Sequence, residues 1–507
     1  MSTTSSSSSS SSSTALDKSS NEDLVLEKQN NLKNQNIEEQ PKKQEQSAKE
    51  QNTKKDYQSP YDNKSLAWLD KYFEISQRDS SFTKEILGGI AMFLASLYIL
   101  SVQSSALKSG GTPESGTRQS TALLSGLGTI TMGIVSGIPL MVSTGMGENY
   151  FYSTTIIAKH NYSWQTAGSL VFIQGILIVL ISWRFLRLKF LSAIPPMFRI
   201  GIAFGISLLI GTLGIKSMIN NPVTSEPELH FRLLLAVLCL VFIASFAIRE
   251  KIYVFILAPF VTAIVSQIIR AASGDFEMAE WDLSGLGSTA FKINFDWKVS
   301  ALWLIPVMTI NQLFDAVCTI LTVIQFAYLD KIKFDEKKFL NLISQSKTSK
   351  LQRVIIVTGI WSSISGLFCN SQIVPFIESI VAGTVGARTG FSSVITGLCF
   401  LLSIFLYPII SLIPNESTAP LMVYTTAIVI KMITHVDFSD LNSIIPIVVS
   451  TITIPLMSSI LMGIALGYAV LILLWLVAPD KKYKEITYPM VIVFILSVVG
   501  VVFELLE

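Results

Sequence analysis

Residues 371–386 read SQIVPFIESIVAGTVG, and residues 143–158 read STGMGENYFYSTTIIA. Both stretches are apolar, yet each is too short and too interrupted to cross a bilayer as one helix. Pro375 removes a backbone donor and ends any helix before it. Gly145 and Gly147 allow close backbone approach. Irregular backbone survives at membrane depth only where it is buried in protein or lines a cavity. Short, Gly/Pro-interrupted segments in corresponding places of two halves point to the binding site of a transporter.

The surrounding sequence supports the membrane setting. Of 507 residues, 50% are hydrophobic and only 15% are charged, and mean hydropathy is +0.53. A soluble domain carries about 25% charged residues. Apolar runs predict spans over 86–106, 120–142, 165–183, 197–218, 231–248, 252–269, 300–327, 353–369, 391–412, 417–434, 443–457, 459–478 and 487–505. The fold class expected is an all-α polytopic membrane protein.

The two interrupted stretches divide the chain alike. Each is followed by a long span, then by Ile-Pro (Ile194-Pro195, Ile413-Pro414) leading into a helix, then by a closely spaced helix pair. This suggests two repeats of seven elements, fourteen in all. The expected layout is a disordered cytoplasmic tail over 1–83, a first repeat over 84–270, an extracellular loop over 271–298, a second repeat over 299–478, and a C-terminal segment over 479–507. The last segment is either an extra membrane helix or an interfacial one. Basic residues fit this layout with the tail inside, since Arg184, Arg187, Lys189, Arg249, Lys251, Arg388, Lys481, Lys482 and Lys484 fall on cytoplasmic connections. The serine run and the Gln/Asn/Lys/Glu-rich stretch of the tail cannot bury a core.

Three polar residues stand out at membrane depth. Asp315 lies in TINQLFDAVCTILTV (309–323), where a carboxylate usually faces a cavity and marks a substrate or proton path. The plainer alternative is a partner for a neighbouring hydroxyl. Glu378 follows Pro375, where a new half-helix would begin with unpaired N–H groups. It could bond the N–H edge of a ligand, or simply cap that helix. Asn149 offers both donors and an acceptor, which suits a heterocycle, or else braces its loop. Glu148 beside it is either in an aqueous vestibule or a second carboxylate of the site. A planar ligand would stack on an aromatic, and Tyr98, Tyr150, Phe151, Phe314 and Phe376 are near enough in sequence to serve.

Other classes find no support. The four cysteines, Cys239, Cys318, Cys369 and Cys399, form no CxxC or Cys/His cluster, so neither a disulfide framework nor a metal site is expected. No Walker A, GxSxG, HExxH or haem-binding pair occurs, so neither an enzyme nor a bound cofactor is expected. A net charge of +2 gives no reason to expect a nucleic-acid partner.

Several stretches carry a family likeness: FTKEILGGIAMFLASLYILSVQ (82–103), TGMGENYFY (144–152) with YSWQTA (162–167), FDAVCTI (314–320), FIESIVAGTVGARTGF (376–391) and IPNESTAPLMV (413–423). The chain resembles the AzgA-like branch of the nucleobase–ascorbate transporter superfamily, the adenine/guanine/hypoxanthine permeases. The resemblance implies a seven-plus-seven inverted repeat with core and gate domains. Elements three and ten would be discontinuous half-helices with short strands that meet near the midplane. It further implies that Asp315 is the substrate- and proton-linked acid of the eighth element, Glu378 the purine-binding acid of the tenth, and Asn149 the polar residue of the third. A homodimer is implied by relatives of this fold. The sequence departs from the family pattern at Cys318, at Cys369-Asn370-Ser371, at Val374-Pro375-Phe376, and at Glu148, where an apolar residue is usual.

The expected function is import of a purine nucleobase with a proton by alternating access. Substrate contacts would come from Asp315, Glu378, Asn149, Phe376 and Tyr98, with Asp315 coupling the proton. The plasma membrane is the default location. Two alternatives stay open: another heterocycle or an anion carried on the same fold, and a non-transporting sensor on a permease scaffold.

Overall fold

The computed structural model describes residues 60–61, 63–182, 196–219, 226–247, 254–273, 284–328, 350–406, 408, 412–430, 441–457, 459–477 and 488–506. The chain divides into two units, Met1–Tyr72 and Phe73–Glu507. Helix α1 (Lys64–Phe73) lies within the segment expected to be disordered, and a 3-10 turn follows over Ser76–Arg78. The expectation for 1–83 is corrected there. Leu66, Leu69 and Phe73 recur at three- and four-residue spacing, the helical period. Residues 1–59 of the tail lie outside the described residues.

The first membrane element is broken. Ser81 caps α2 (Phe82–Ser96), its hydroxyl accepting the Lys84 N–H at 3.4 Å. After a turn at Leu97 and Tyr98 the chain resumes as α3 (Ile99–Lys108). The turn is closed by three-residue bonds, the N–H of Leu100 to the carbonyl of Leu97 and that of Ser101 to Tyr98. Helix α4 (Glu114–Ser136) starts and stops earlier than the expected span over 120–142. Gly137 ends it with φ +66°, its N–H bonding back to Gly133, and Pro139 bars continuation.

Strand β1 (Val142–Thr144) then leads into a short α5 (Met146–Tyr150) and a π-helical turn over Phe151–Lys159. Helices α6 (Trp164–Ile181), α7 (Pro196–Ile219), α8 (Glu226–Ala247) and α9 (Val254–Ser273) follow. The described part of the expected 271–298 loop holds a single turn, α10 (Leu286–Thr289). It is pinned to helix ends, with the Phe291 N–H on the Leu367 carbonyl at 2.7 Å and the Asn294 N–H on the Gln165 carbonyl at 3.1 Å. Helix α11 (Leu304–Tyr328) carries Asp315, and α12 (Lys350–Leu367) precedes strand β2 (Ile373–Pro375). A 3-10 turn over Ile377–Ser379 leads to short α13 (Ile380–Thr384), then α14 (Gly390–Phe405), α15 (Asn415–Ile430), α16 (Leu441–Met457), α17 (Ile460–Val477) and α18 (Tyr488–Leu506). Among the described residues, four helices are long and apolar enough to cross a membrane, over Phe82–Lys108, Trp164–Ile181, Ala301–Ile324 and Ile460–Val477, with shorter apolar helices beside them.

The two strands pair antiparallel, Val142 opposite Pro375 and Thr144 opposite Ile373. The helices form two packed groups around this ribbon. In one, α4 lies against α14 and α6 against α12. A Cβ on Gly133 would overlap the backbone of Gly390, and one on Gly168 would meet that of Gly366, so both crossings depend on small residues. In the other group α7 packs on α15 and α16, and α16 on α17. Helix α11 touches both groups, through α6 and α7, and α18 packs against α11 and α17.

Glu85 ties the first group together. Its carboxylate accepts the backbone N–H groups of Arg388 (2.8 Å), Thr389 (3.1 Å) and Ser392 (3.2 Å), and the Ser80 hydroxyl at 2.7 Å. It caps the start of α14 from α2. Glu85→Ala is expected to destabilise the protein by about 3 kcal/mol or more, because several buried donors lose their acceptor together. Thermal unfolding of the purified protein in detergent checks this, with Glu85→Gln expected to lose less.

Candidate functional site

The backbone edges of the β1–β2 ribbon are satisfied by side chains. The Gln312 carboxamide on α11 donates to the Ile373 carbonyl at 2.7 Å and to Ser362 Oγ at 2.8 Å, while Ser362 accepts the Ile373 N–H at 2.9 Å. Gln174 on α6 donates to Gln312 Oε1 at 2.7 Å. On the other strand the Thr129 hydroxyl bonds the Val142 carbonyl at 3.0 Å. Pro375 needs no donor partner, and the next residue, Phe376, bonds the Met141 carbonyl at 2.9 Å. The ribbon therefore fixes the register of the residues that follow each strand.

A small cavity of about 30 Å³ lies beside it, between the two helix groups. Tyr98, Met146, Gly147 and the run Val374–Glu378 line it from the first group, Asp315 and Thr319 from α11, and Ile206, Leu209, Ile210 and Ile460 from the second. Four of the residues expected at the site therefore share one cavity: Asp315, Glu378, Phe376 and Tyr98. Glu378 is fully buried. Tyr98 donates its hydroxyl to Glu378 Oε1 at 2.6 Å, and Oε2 has no partner. Tyr98 thus acts as a hydrogen-bond donor to Glu378 while also lining the cavity. The break between α2 and α3 places it there. Asp315 accepts the Thr319 hydroxyl, one turn along α11, at 3.0 Å, and lies within electrostatic reach of Glu148 and Glu378.

Asn149 is placed differently. Its carboxamide oxygen accepts the Ser371 hydroxyl, its nitrogen approaches Met146 Sδ at 3.8 Å, and it does not line the cavity. Ser371 belongs to a buried network in which Gln103 donates to Asn370 at 2.5 Å and to Ser371 at 3.1 Å. Asn370 in turn donates to Ser120 and Thr121, each at 3.0 Å. Asn149 thus ties α5 to the approach of β2. Phe314 is buried and meets Tyr468 edge-on at 6.2 Å, away from the cavity lining. Tyr150 and Phe151 line a second, smaller cavity of about 10 Å³, with Val307, Met308, Asn311 and Ser459.

Sequence reasoning missed Gln312, Asn311 and Thr319. The signal for the last two was present, because Asn311, Asp315 and Thr319 are spaced four apart and so share one face of a helix. No disulfide joins the four cysteines, three of which are buried, and no cluster of metal-ligating side chains occurs among the described residues.

Apolar helices around a largely apolar cavity that holds two carboxyls, with broken elements on its wall, define a multi-pass membrane transport protein. Comparison makes the class specific. Residues 83–466 match the model of the permease family, and the chain belongs to that family. The adenine permease AdeP of Escherichia coli strain K12 is 27% identical over 79% of this chain and 88% of its own. The guanine/hypoxanthine permease GhxP of Escherichia coli O157:H7 is 28% identical over 82% and 93%. These relatives agree with the likeness to the adenine/guanine/hypoxanthine permeases. The fold is also similar to the solved structure of SLC26A9, with a TM-score of 0.50 at 14% identity, covering 83% of this chain and 68% of that one.

Removing the Tyr98 hydroxyl would leave the buried Glu378 carboxyl with neither oxygen bonded. Tyr98→Phe is expected to lower stability by about 1.5–3 kcal/mol, the range for a hydrogen bond to a charged group. The shift of the thermal midpoint in ligand-free protein measures it.

Proposed function

We propose that this chain imports purine nucleobases (adenine, guanine or hypoxanthine) together with a proton. The observation that carries this reading is Glu378: one carboxyl oxygen is held by Tyr98, while the other is buried and unpartnered in a residue that lines the cavity. An acceptor fixed in this way suits the ring and exocyclic N–H groups of a purine. A site built to bond such groups rejects molecules that lack them, because its own polar atoms would be left unpaired. Phe376 supplies an apolar face for a flat ring, and the isoleucines of α7 and α17 close the other side.

Asp315 is the proton-coupling residue in this reading. It shares the cavity with Glu378, so the proton it carries and the base Glu378 binds act on one local field. Asn149 supports the site through Ser371. The broken elements built on β1 and β2 serve as elements three and ten of fourteen, arranged as a seven-plus-seven inverted repeat. The group containing α4, α6, α12 and α14 forms the core, and the group containing α7, α15, α16 and α17 forms the gate. Movement of one against the other exposes the cavity alternately to each side. Helix α18 is a further membrane helix outside the repeats, the working location is the plasma membrane, and the protein works as a homodimer.

Uptake of radiolabelled adenine, guanine, hypoxanthine, xanthine and uracil tests the reading, in cells lacking their own nucleobase carriers. Purine uptake is expected, with accumulation collapsing on addition of a protonophore. Glu378→Ala should lose most uptake while still reaching the surface. Asp315→Asn should lose accumulation against a gradient, and full accumulation by that variant would remove the proton role from Asp315. Binding of a base without counterflow would instead indicate a sensor.

A further inference from the structure

Two buried carboxyls of this chain are handled in opposite ways. Glu85 accepts four hydrogen bonds and is fully used in holding α2 to α14. Glu148 is equally inaccessible, yet its side-chain partner is the Asn311 carboxamide at 3.2 Å. Its Oε2 is unpartnered and folds back over Gly145, where a Cβ would overlap it. Asn311 is itself only 7% exposed, and its Oδ1 also has no partner. A structural role would spend these atoms on donors, since each buried polar group left bare costs about 1–3 kcal/mol.

Place and access are both favourable. Asn311 lies one turn before Asp315 on α11, so Glu148 on α5 stands beside the coupling acid and within its electrostatic reach. The titratable group facing it from a packed element is Asp315 on α11, which in turn lies within electrostatic reach of Glu378. Tyr150 and Tyr152 are on its own segment. The second cavity is lined by Asn311, Ser459 and Tyr150, and Tyr150 is 47% exposed. Only Gly147 and Ile460 are common to the linings of both cavities. Asn311, the partner of Glu148, thus borders the second cavity and is reached without crossing the cavity assigned to the base.

We propose that Glu148 is a second proton-binding site of the transport cycle, loaded through the Tyr150–Asn311 cavity. It takes up one proton in addition to that on Asp315, giving two protons per base. Asn311 is the positioning residue, holding the carboxyl by its N–H while its Oδ1 faces the incoming proton or its water carrier. A metal ion fits less well, because Asn311 turns its donor toward the carboxyl and no group of metal-ligating side chains surrounds it among the described residues. This proposal rests on the importer reading for its stoichiometry and on the Glu148–Asn311 geometry alone for its proton.

Two measurements on the full chain in liposomes test it. The first is the accumulation ratio of labelled purine at zero net flux, with the membrane potential clamped at zero. Two coupled protons give about a hundredfold ratio per pH unit of gradient, and one gives about tenfold, since each tenfold step is 1.4 kcal/mol. Wild type is expected at the higher slope. Glu148→Gln, and Glu148→Leu with an apolar side chain at this position, are expected to transport at the lower one. The second is infrared titration of the carboxylic-acid band without substrate, in which Glu148→Gln should remove one titrating carboxyl and Asn311→Leu should shift its midpoint. An unchanged slope with an unchanged band in Glu148→Gln overturns the proposal. If wild type moves no base, the importer reading falls, and the infrared band still decides whether Glu148 takes up a proton.

Discussion

The antiparallel contact between Val142–Thr144 and Ile373–Pro375 is the constraint on which the site is built. A two-stranded ribbon has two open edges, and at membrane depth no bulk water is present to satisfy them. The protein supplies the missing partners from helices: Gln312 from α11, Ser362 from α12 and Thr129 from α4. Each of these helices is thereby held at a set distance from the ribbon. The residues next to the strands inherit their positions from it, Glu148 and Asn149 after β1 and Phe376 and Glu378 after β2. Without the pairing, the carboxyls would have no fixed geometry, and the surrounding helices would lose a shared anchor.

Much of this was legible in the chain. Carboxylates in apolar runs are costly, so Asp315 and Glu378 announce themselves, and Pro375 with the neighbouring glycines marks where helices must break. Other features depend on partners far away in sequence. An amide side chain in isolation does not reveal which way it points. Asn149 is directed by Ser371, which belongs to the other interrupted stretch, so its carboxamide braces the scaffold. Gln312 carries no signal of its own in the sequence, because the strand edge it serves exists only once β1 and β2 are paired. Tyr98 was chosen for its ring, and the bend after Ser96 gives its hydroxyl the decisive contact.

The departures from the family pattern acquire physical content in the same way. Cys369 has φ +53°, in the left-handed region that glycine favours. Its carbonyl accepts the Tyr152 hydroxyl at 3.0 Å, which ties this turn to the first broken element. Pro375 lies opposite Val142 at the end of β2, where its missing N–H costs the ribbon no bond it needs.

Helix α11 is enclosed on every side: the 18-residue window within Ala301–Ile324 is wholly buried. Part of that enclosure comes from α18, whose Gly500 lies close enough to Val307 and Leu461 that a Cβ would crowd both. A helix carrying Asn311, Gln312 and Asp315 inserts poorly alone, since one aspartate at its centre costs about 2.5–3.5 kcal/mol and each large apolar residue returns only about 0.3–0.6. The ribosome makes α11 well before α18. During that interval the newborn helix must shelter against α6 and the partners already present, with one flank still facing lipid or the insertion machinery. Packing of α18 against α11 thus completes this part of the enclosure only after α18 has been made.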